Sequence, residues 1–225
     1  MILVAGADEA GRGPVLGPMV LCLAIASKTR ERELKAIGVK DSKMLTPKQR
    51  EDLAHEIRKD CKLHVAKVTA RELNTLMRTK SLNQIEADAI TEMIKEIPEK
   101  TLEQIERIYI DVPDPIPIKF VHRLRLPKKI KDKIHASHKA DVKYPICSAA
   151  SIIAKTVRDA EIEKIKHELQ CNFGTGYSHD VNTIECLEKN IGDKRWLKYM
   201  RMEWSTAKRI LQKSKFKTKQ VKLDF

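Results

Sequence analysis

Apolar runs and the polar residues that interrupt them divide this chain into elements from its first residues. Met1–Ala7 is a short apolar run bearing Ile2, Leu3 and Val4, which predicts a strand. Glu9–Pro14 breaks the run with Gly11, Gly13 and Pro14, and Val15–Ala26 is a second apolar run, so the two predict a hairpin of buried strands. Ser27–Ile37 is charged at helical spacing. Thr46 followed by Pro47 and Gln49 predicts a capped helix reaching Lys59. Cys61–Thr69 alternates around Leu63, Val65 and Val68, as a third strand does. In Leu82–Ile97 the apolar positions Ile85, Ala89, Met93 and Ile97 step by four, a helix that Pro98 ends. Arg107–Asp111 reads as a strand before the Pro-rich Val112–Pro117, and Ile130–His138 as another. Pro145–Leu169 has the clearest helical period: Ile146, Ala150, Ile153, Val157 and Ala160 share one face, with Ser148, Ser151, Lys155 and Arg158 on the other. Shorter helices are expected at Thr183–Asn190 and Ser205–Gln212. Early strands followed by strands alternating with helices predict a mixed α/β layer protein.

Composition narrows the class. The 225 residues suit one domain with a small appended lobe, and 42% hydrophobic residues are enough to fill a core. Aromatics make up only 4%, so Leu, Ile, Val and Ala must do the packing. Lys and Arg number 44 against 31 acids, a net charge of +13 that points to a polyanionic partner or an anionic surface. The longest apolar stretch, Val15–Ala26, is too short for a membrane span and contains Gly17 and Pro18. No basic segment precedes an apolar run at the N-terminus, so no signal peptide is expected. Cys22, Cys61, Cys147, Cys171 and Cys186 are scattered and never in C-x-x-C spacing. That predicts a reducing, cytoplasmic setting without a disulfide framework or a zinc knuckle.

The acids at the ends of strands carry the candidate chemistry. Asp8 and Glu9 close the first strand, Asp111 closes Arg107–Ile110, and Asp141 follows His138-Lys139-Ala140 before the long helix. Neighbouring strands would bring these carboxylates to one sheet edge, where they repel unless cations join them. Oxygen ligands select hard ions such as Mg²⁺ or Mn²⁺, and two such ions can activate water and stabilise a leaving oxygen at a phosphodiester. The competing reading is that acids near strand ends cap and turn the chain. Asp114, between Pro113 and Pro115, competes with Asp111.

Gly11-Arg12-Gly13-Pro14 is neither a dinucleotide fingerprint, since a strand rather than a helix follows, nor a Walker loop. It is either a loop whose exposed amides approach a ligand or a plain hairpin turn. From Lys213 the chain carries lysines at 213, 215, 217, 219 and 222 with no acid between them, a flexible phosphate-attracting tail. Gln220-Val221-Lys222-Leu223-Asp224-Phe225 is similar to a sliding-clamp peptide, one residue short before its single aromatic.

These motifs together resemble those of type 2 ribonucleases H. Asp8-Glu9-Ala10-Gly11-Arg12-Gly13-Pro14 with Gly17-Pro18 is similar to the family's opening, and Val39-Lys40-Asp41-Ser42-Lys43 to its D-S-K segment. His138-Lys139-Ala140-Asp141, Tyr144-Pro145 and Ser148–Lys155 resemble H-K-A-D, Y-P and A-A-S-I-I-A-K. Gly174-Thr175-Gly176-Tyr177 resembles G-S-G-Y, and Arg201 with Trp204 a late R-x-x-W. The matches run in family order from residue 2 to about 212, in a short, archaeal-like layout.

The resemblance implies a ribonuclease H-like five-stranded mixed sheet flanked by helices, with a helical C-terminal part. The division it suggests is a catalytic domain at 1–170, the helical part packed on it at 171–212, and the basic tail at 213–225. It implies an endoribonuclease that cuts the RNA strand of RNA–DNA hybrids and the 5′ side of ribonucleotides embedded in duplex DNA. The products would carry 3′-hydroxyl and 5′-phosphate ends. Asp8, Glu9, Asp111 and Asp141 would bind the two Mg²⁺ or Mn²⁺ ions. Gly11, Arg12 and Gly13 would contact the ribonucleotide, Tyr177 would stack on the next sugar, and Lys43, Lys155 and Arg158 would hold phosphates. A monomer is expected. Ser178-His179-Asp180-Val181 departs from the family's Pro-Ser-Asp-Pro, which bears on the pose of Tyr177. His138 is expected to support a ligand rather than to be one. Two other readings compete: a non-catalytic basic nucleic-acid-binding protein, and a Mg²⁺-dependent phosphoesterase of small substrates.

Overall fold

The hairpin at the start of the chain pairs β1 (Leu3–Ala10) antiparallel with β2 (Met19–Ser27), setting Asp8 opposite Cys22 and Glu9 opposite Leu21. Both acids therefore lie within β1 rather than beyond it, and Val15–Pro18 belongs to the connecting loop rather than to β2. The computed structural model describes residues 1–39 and 45–221, with side chains described to residue 213. Next come α1 (Lys28–Ala36), α2 (Pro47–Asp60), β3 (Lys62–Val68), α3 (Ala70–Leu76), α4 (Leu82–Lys95), α5 (Glu99–Gln104) and β4 (Ile105–Asp111). Then follow α6 (Pro117–Arg123), α7 (Lys128–Lys131), β5 (Ile134–Ser137), α8 (Ala140–Lys143) and α9 (Pro145–Leu169). The last elements are α10 (Val181–Asn190), α11 (Lys194–Leu197) and α12 (Ser205–Val221), which runs past the expected end at Gln212. No described helix is long and apolar enough to cross a membrane.

The strands form one five-stranded mixed sheet in the order β3-β2-β1-β4-β5, flanked by helices as expected. β4 pairs parallel with β1 and β5 parallel with β4, so the C-terminal ends of β1, β4 and β5 lie along one edge. Caps explain several boundaries. Thr46 and Gln49 form a reciprocal capping box at α2, and Thr69 and Glu72 form another at α3.

The chain divides into two compact units. The first comprises Met1–Ala10, Val20–Lys67 and Lys80–Val157 and contains the sheet. Its core joins Val4, Cys22, Ala24 and Leu34 to Ile146, Ala150 and Ile153 of α9. Gly6 makes this packing possible: a Cβ there would lie 2.5 Å from the backbone of Ile146 and Cys147. The early part of α9 is buried on more than its apolar face, since Ser148 and Ser151 are buried too. A helical wheel assigns those serines to solvent, which is where the structure departs from the sequence reading.

The second unit gathers Gly11–Met19, Val68–Thr79 and the chain from Arg158. Val15, Leu16, Ile162, Ile165, Phe173, Trp196 and Met200 build its core. Asn74 ties distant segments of this unit by donating to the Met200 carbonyl (2.8 Å) and accepting from the Met202 amide (2.7 Å).

Candidate active site

In the first unit, two adjacent strands and the short helix after β5 bring three carboxylates to one place. Asp8 comes from β1, Asp111 from the last position of β4, and Asp141 from α8, which follows β5 after a sharp turn. Lys139, at φ 55°, makes that turn in the left-handed region. One carboxylate oxygen from each acid lies within 4.8 Å of the other two. Asp8 and Asp141 are buried, at 6% and 4% exposure. Asp111 accepts a hydrogen bond from the Ala140 amide at 2.9 Å, which fixes the β4 end against the start of α8. Glu9 lies outside this group of three, although its charge acts on Asp8.

The electrostatics favour a bound cation. Burial, then the negative charge of Glu9 and that of Asp111, hold the Asp8 carboxyl well above the usual carboxylate range. A hydrogen bond from Ser151 and the charge of Lys155 pull it the other way. Lys155 in turn donates to Ser151 Oγ at 3.1 Å, so the polar stripe of α9 forms a relay from a lysine through a serine to Asp8. The sequence placed Ser151 only on a polar face. Its signal was the Ser148–Ser151–Lys155 spacing, which keeps three polar groups on one stripe. An all-oxygen donor set with two buried carboxylates fits a hard divalent ion.

Asp114 is settled by its partner: it is buried and bonded to Arg123 Nε at 3.1 Å, outside the three-carboxylate group. His138 reaches the carbonyls of Val112 (Nδ1, 3.1 Å) and Pro115 (Nε2, 3.4 Å), bracing the segment just after Asp111.

In the second unit the glycine loop is held from beneath by a buried arginine. Arg201 is 0% exposed and donates to three carbonyls: Gly11 at 2.7 Å, Gly17 at 2.8 Å and Arg12 at 3.0 Å. Burial, then the neighbouring Arg158, pushes its guanidinium down to about 9. Trp204 lies under the Arg201 guanidinium and donates from Nε1 to the Gly13 carbonyl at 3.1 Å. With three carbonyls drawn inward, the loop's curvature is fixed. Gly11 itself sits at φ 78°, and a Cβ there would lie 2.8 Å from the Pro18 carbonyl oxygen. Arg12 is half-buried and Gly13 exposed.

Tyr177 is half-buried and equally well braced. Asp180 accepts from the Thr175 amide and hydroxyl, both at 2.7 Å, and from the Asn182 amide at 3.0 Å, capping α10. These bonds, those to Thr175 first, hold the Asp180 carboxyl below its usual range. Thr183 Oγ1 accepts from the Gly176 amide and donates to the Phe173 carbonyl. Arg158 is buried, donates to the Thr175 carbonyl and lies 5.3 Å from the Tyr177 ring centre. His179 packs beside the same ring, at 5.3 Å between centres. The departure at Ser178-His179 therefore leaves a turn that Asp180 and Thr183 hold. Lys43 lies outside the described residues. So do Lys222–Phe225 of the clamp-like peptide, together with the side chains of Gln220 and Val221.

Comparison with known proteins gives the chain a family. The ribonuclease HII family model matches residues 5–207. Ribonuclease HII of Pyrococcus abyssi is 42% identical over 223 residues, covering 98% of this chain and 96% of that protein. The crystal structure of ribonuclease H2 from Pyrococcus horikoshii superposes with a TM-score of 0.80 at 38% identity, covering 94% of this chain and 98% of that one. The ribonuclease HII solved in complex with PCNA from Archaeoglobus fulgidus gives 0.79 at 40% identity, covering 91% and 96%. The chain thus belongs to the ribonuclease HII family and is a metal-dependent nuclease with ribonuclease H activity.

Proposed function

We propose that the protein is a cytoplasmic endonuclease that hydrolyses the RNA strand of RNA–DNA hybrids and cuts on the 5′ side of ribonucleotides embedded in duplex DNA. The products carry 3′-hydroxyl and 5′-phosphate ends. The observation that carries this reading is the meeting of Asp8, Asp111 and Asp141. Two divalent ions, Mg²⁺ or Mn²⁺, when bound supply activation of the attacking water and stabilisation of the leaving oxygen.

The chain's own residues hold and orient. Asp8, Asp111 and Asp141 offer the oxygen ligands, and Glu9 adds a fourth carboxylate beside Asp8. Ser151 and Lys155 aim the Asp8 oxygens and favour their ionised form, and Lys155 with Lys43 attracts backbone phosphates. Phosphate contacts position a duplex without reading its bases, which suits an enzyme that selects sugar chemistry. Gly11, Arg12 and Gly13 meet the ribonucleotide, where loop groups can bond the 2′-hydroxyl. Tyr177 stacks on the following sugar. Arg158, buried behind Tyr177, serves the substrate by holding that ring and its turn.

The test is a pair of duplexes identical except for one 2′-hydroxyl, each incubated with Mg²⁺ and with Mn²⁺. Cleavage of the ribonucleotide-bearing duplex alone, 5′ to the ribose, is the expected result. No cleavage in either ion by folded protein would refute the reading.

We further propose that Gln220–Phe225 binds a sliding clamp, as the Archaeoglobus relative solved with PCNA suggests. Clamp pull-down by the full chain, lost when the last six residues are removed, is the expected outcome. Equal retention by both would remove the idea.

A further inference from the structure

We infer that Cys171 and Cys186 form a reversible oxidation site: a small-molecule disulfide converts them to an intramolecular bond that staples the segment carrying Tyr177. The two sulfurs lie 3.1 Å apart across 15 residues of sequence. Closing to a bond of about 2.05 Å needs an approach of only ~1 Å, within reach of small side-chain rotations. Both ends are anchored. Cys171 follows the left-handed residue Gln170 (φ 51°) that ends α9, and its amide bonds the Lys166 carbonyl at 3.1 Å. Cys186 sits inside α10, whose start Asp180 caps.

Access separates this pair from the other cysteines. Cys171 and Cys186 are half-buried, whereas Cys22, Cys61 and Cys147 are buried in the first unit. Burial, then the hydrogen bond to Cys171, pushes the Cys186 thiol up to about 11, so Cys186 keeps its proton at neutral pH. Exchange opens at one sulfur of the pair, here Cys171. Its sulfur displaces one half of the small disulfide, forming a mixed disulfide and releasing one small thiol that carries the Cys171 proton. The Cys186 sulfur then displaces the second small thiol, which leaves with the Cys186 proton. Two protein thiols lose two electrons and two hydrogens, and one small disulfide becomes two thiols. The closed ring encloses Gly174–Tyr177, Asp180 and Thr183.

The experiment treats the full chain with oxidised glutathione, then determines intact mass and maps peptides. The expected result is loss of two hydrogens and a Cys171–Cys186 linked peptide, both reversed by dithiothreitol. The oxidised protein should unfold roughly 5–10 °C higher. Amide exchange across residues 172–185 should slow by about tenfold or more, as it does when local opening is suppressed. Cys171→Ser should abolish the linked peptide and the thermal shift. Separate glutathione adducts without a link in the wild-type chain would overturn the inference. A link that changes neither unfolding nor exchange would overturn the stapling.

Discussion

Asp8 is buried beside other negative charges, and the cost of ionising it is what a bound cation relieves. Because its folded-state pKa stands above the unfolded one, this carboxyl favours the folded state only while protonated. That contribution is complete below the unfolded pKa of about 4 and is lost as pH rises through the folded value. In chelator, Asp8→Asn should therefore be more stable than wild type at pH 7, with the gain shrinking as pH falls toward 4. Urea unfolding at both pH values checks this. The same variant should lose at least ~10³-fold of cleavage activity, since one proposed carboxylate ligand is gone. Ser151→Ala should act more gently, raising the metal concentration for half-maximal cleavage by roughly tenfold. An unchanged metal titration would remove Ser151 from the site. The strand-end acids were legible in the sequence from their placement together with the motifs that hold them, since placement alone left the cap-and-turn reading open. Ser151 was not: a serine on a helical wheel looks the same whether it meets water or Asp8. Asp111 stood ahead of Asp114 because it closes the strand, whereas what occupies Asp114 was hidden: its partner, Arg123, lies on a helix that no periodicity announces.

Among the elements, the glycine loop depends on an arginine about 190 residues away in sequence. Arg201 supplies donors to three carbonyls at once, a geometry that a planar fork meets and an ammonium does not. Arg201→Lys should thus leave loop carbonyls unsatisfied and destabilise the fold by roughly 2–4 kcal/mol, measured by denaturant unfolding. It should also raise KM for a ribonucleotide-bearing duplex more than it lowers kcat, because the loop is proposed to contact substrate rather than the reacting phosphate. A loss confined to kcat would place Arg201 elsewhere in the mechanism. The long elements, β1 to β3, α2, α4 and α9, were readable from period and caps. The short helices α3, α5, α6, α7, α8 and α11 were not, since four to seven residues hold too few turns to show a period. Asn74 shows the other reason: its paired bonds to Met200 and Met202 are tertiary, and sequence spacing carries no trace of them.

For the whole molecule, charge divides by task. The net +13 suits attraction of a polyanion, while the carboxylates proposed for the chemistry are a small minority of the acids. Parts of the basic excess are already committed. Lys133 caps the end of α5 by donating to the carbonyls of Leu102, Glu103 and Ile105, and Arg201 and Arg158 are buried. Lys213 pairs with Glu188 at 3.6 Å. After residue 213 the sequence carries further lysines at 215, 217, 219 and 222. Each lysine that neutralises a phosphate adds about 0.9 to the slope of log affinity against log salt. Deleting residues 213–225 should then flatten that slope by up to ~3–4 on an uncleavable all-deoxy duplex. Single-turnover cleavage at saturating enzyme should stay within about twofold, because no group assigned to the metal site or the loop lies in the deleted stretch. Binding measured across 50–300 mM salt, beside single-turnover rates, separates the two roles. A deletion that slows the chemical step while leaving the salt slope intact would mean that the tail acts on the site itself rather than as an electrostatic tether.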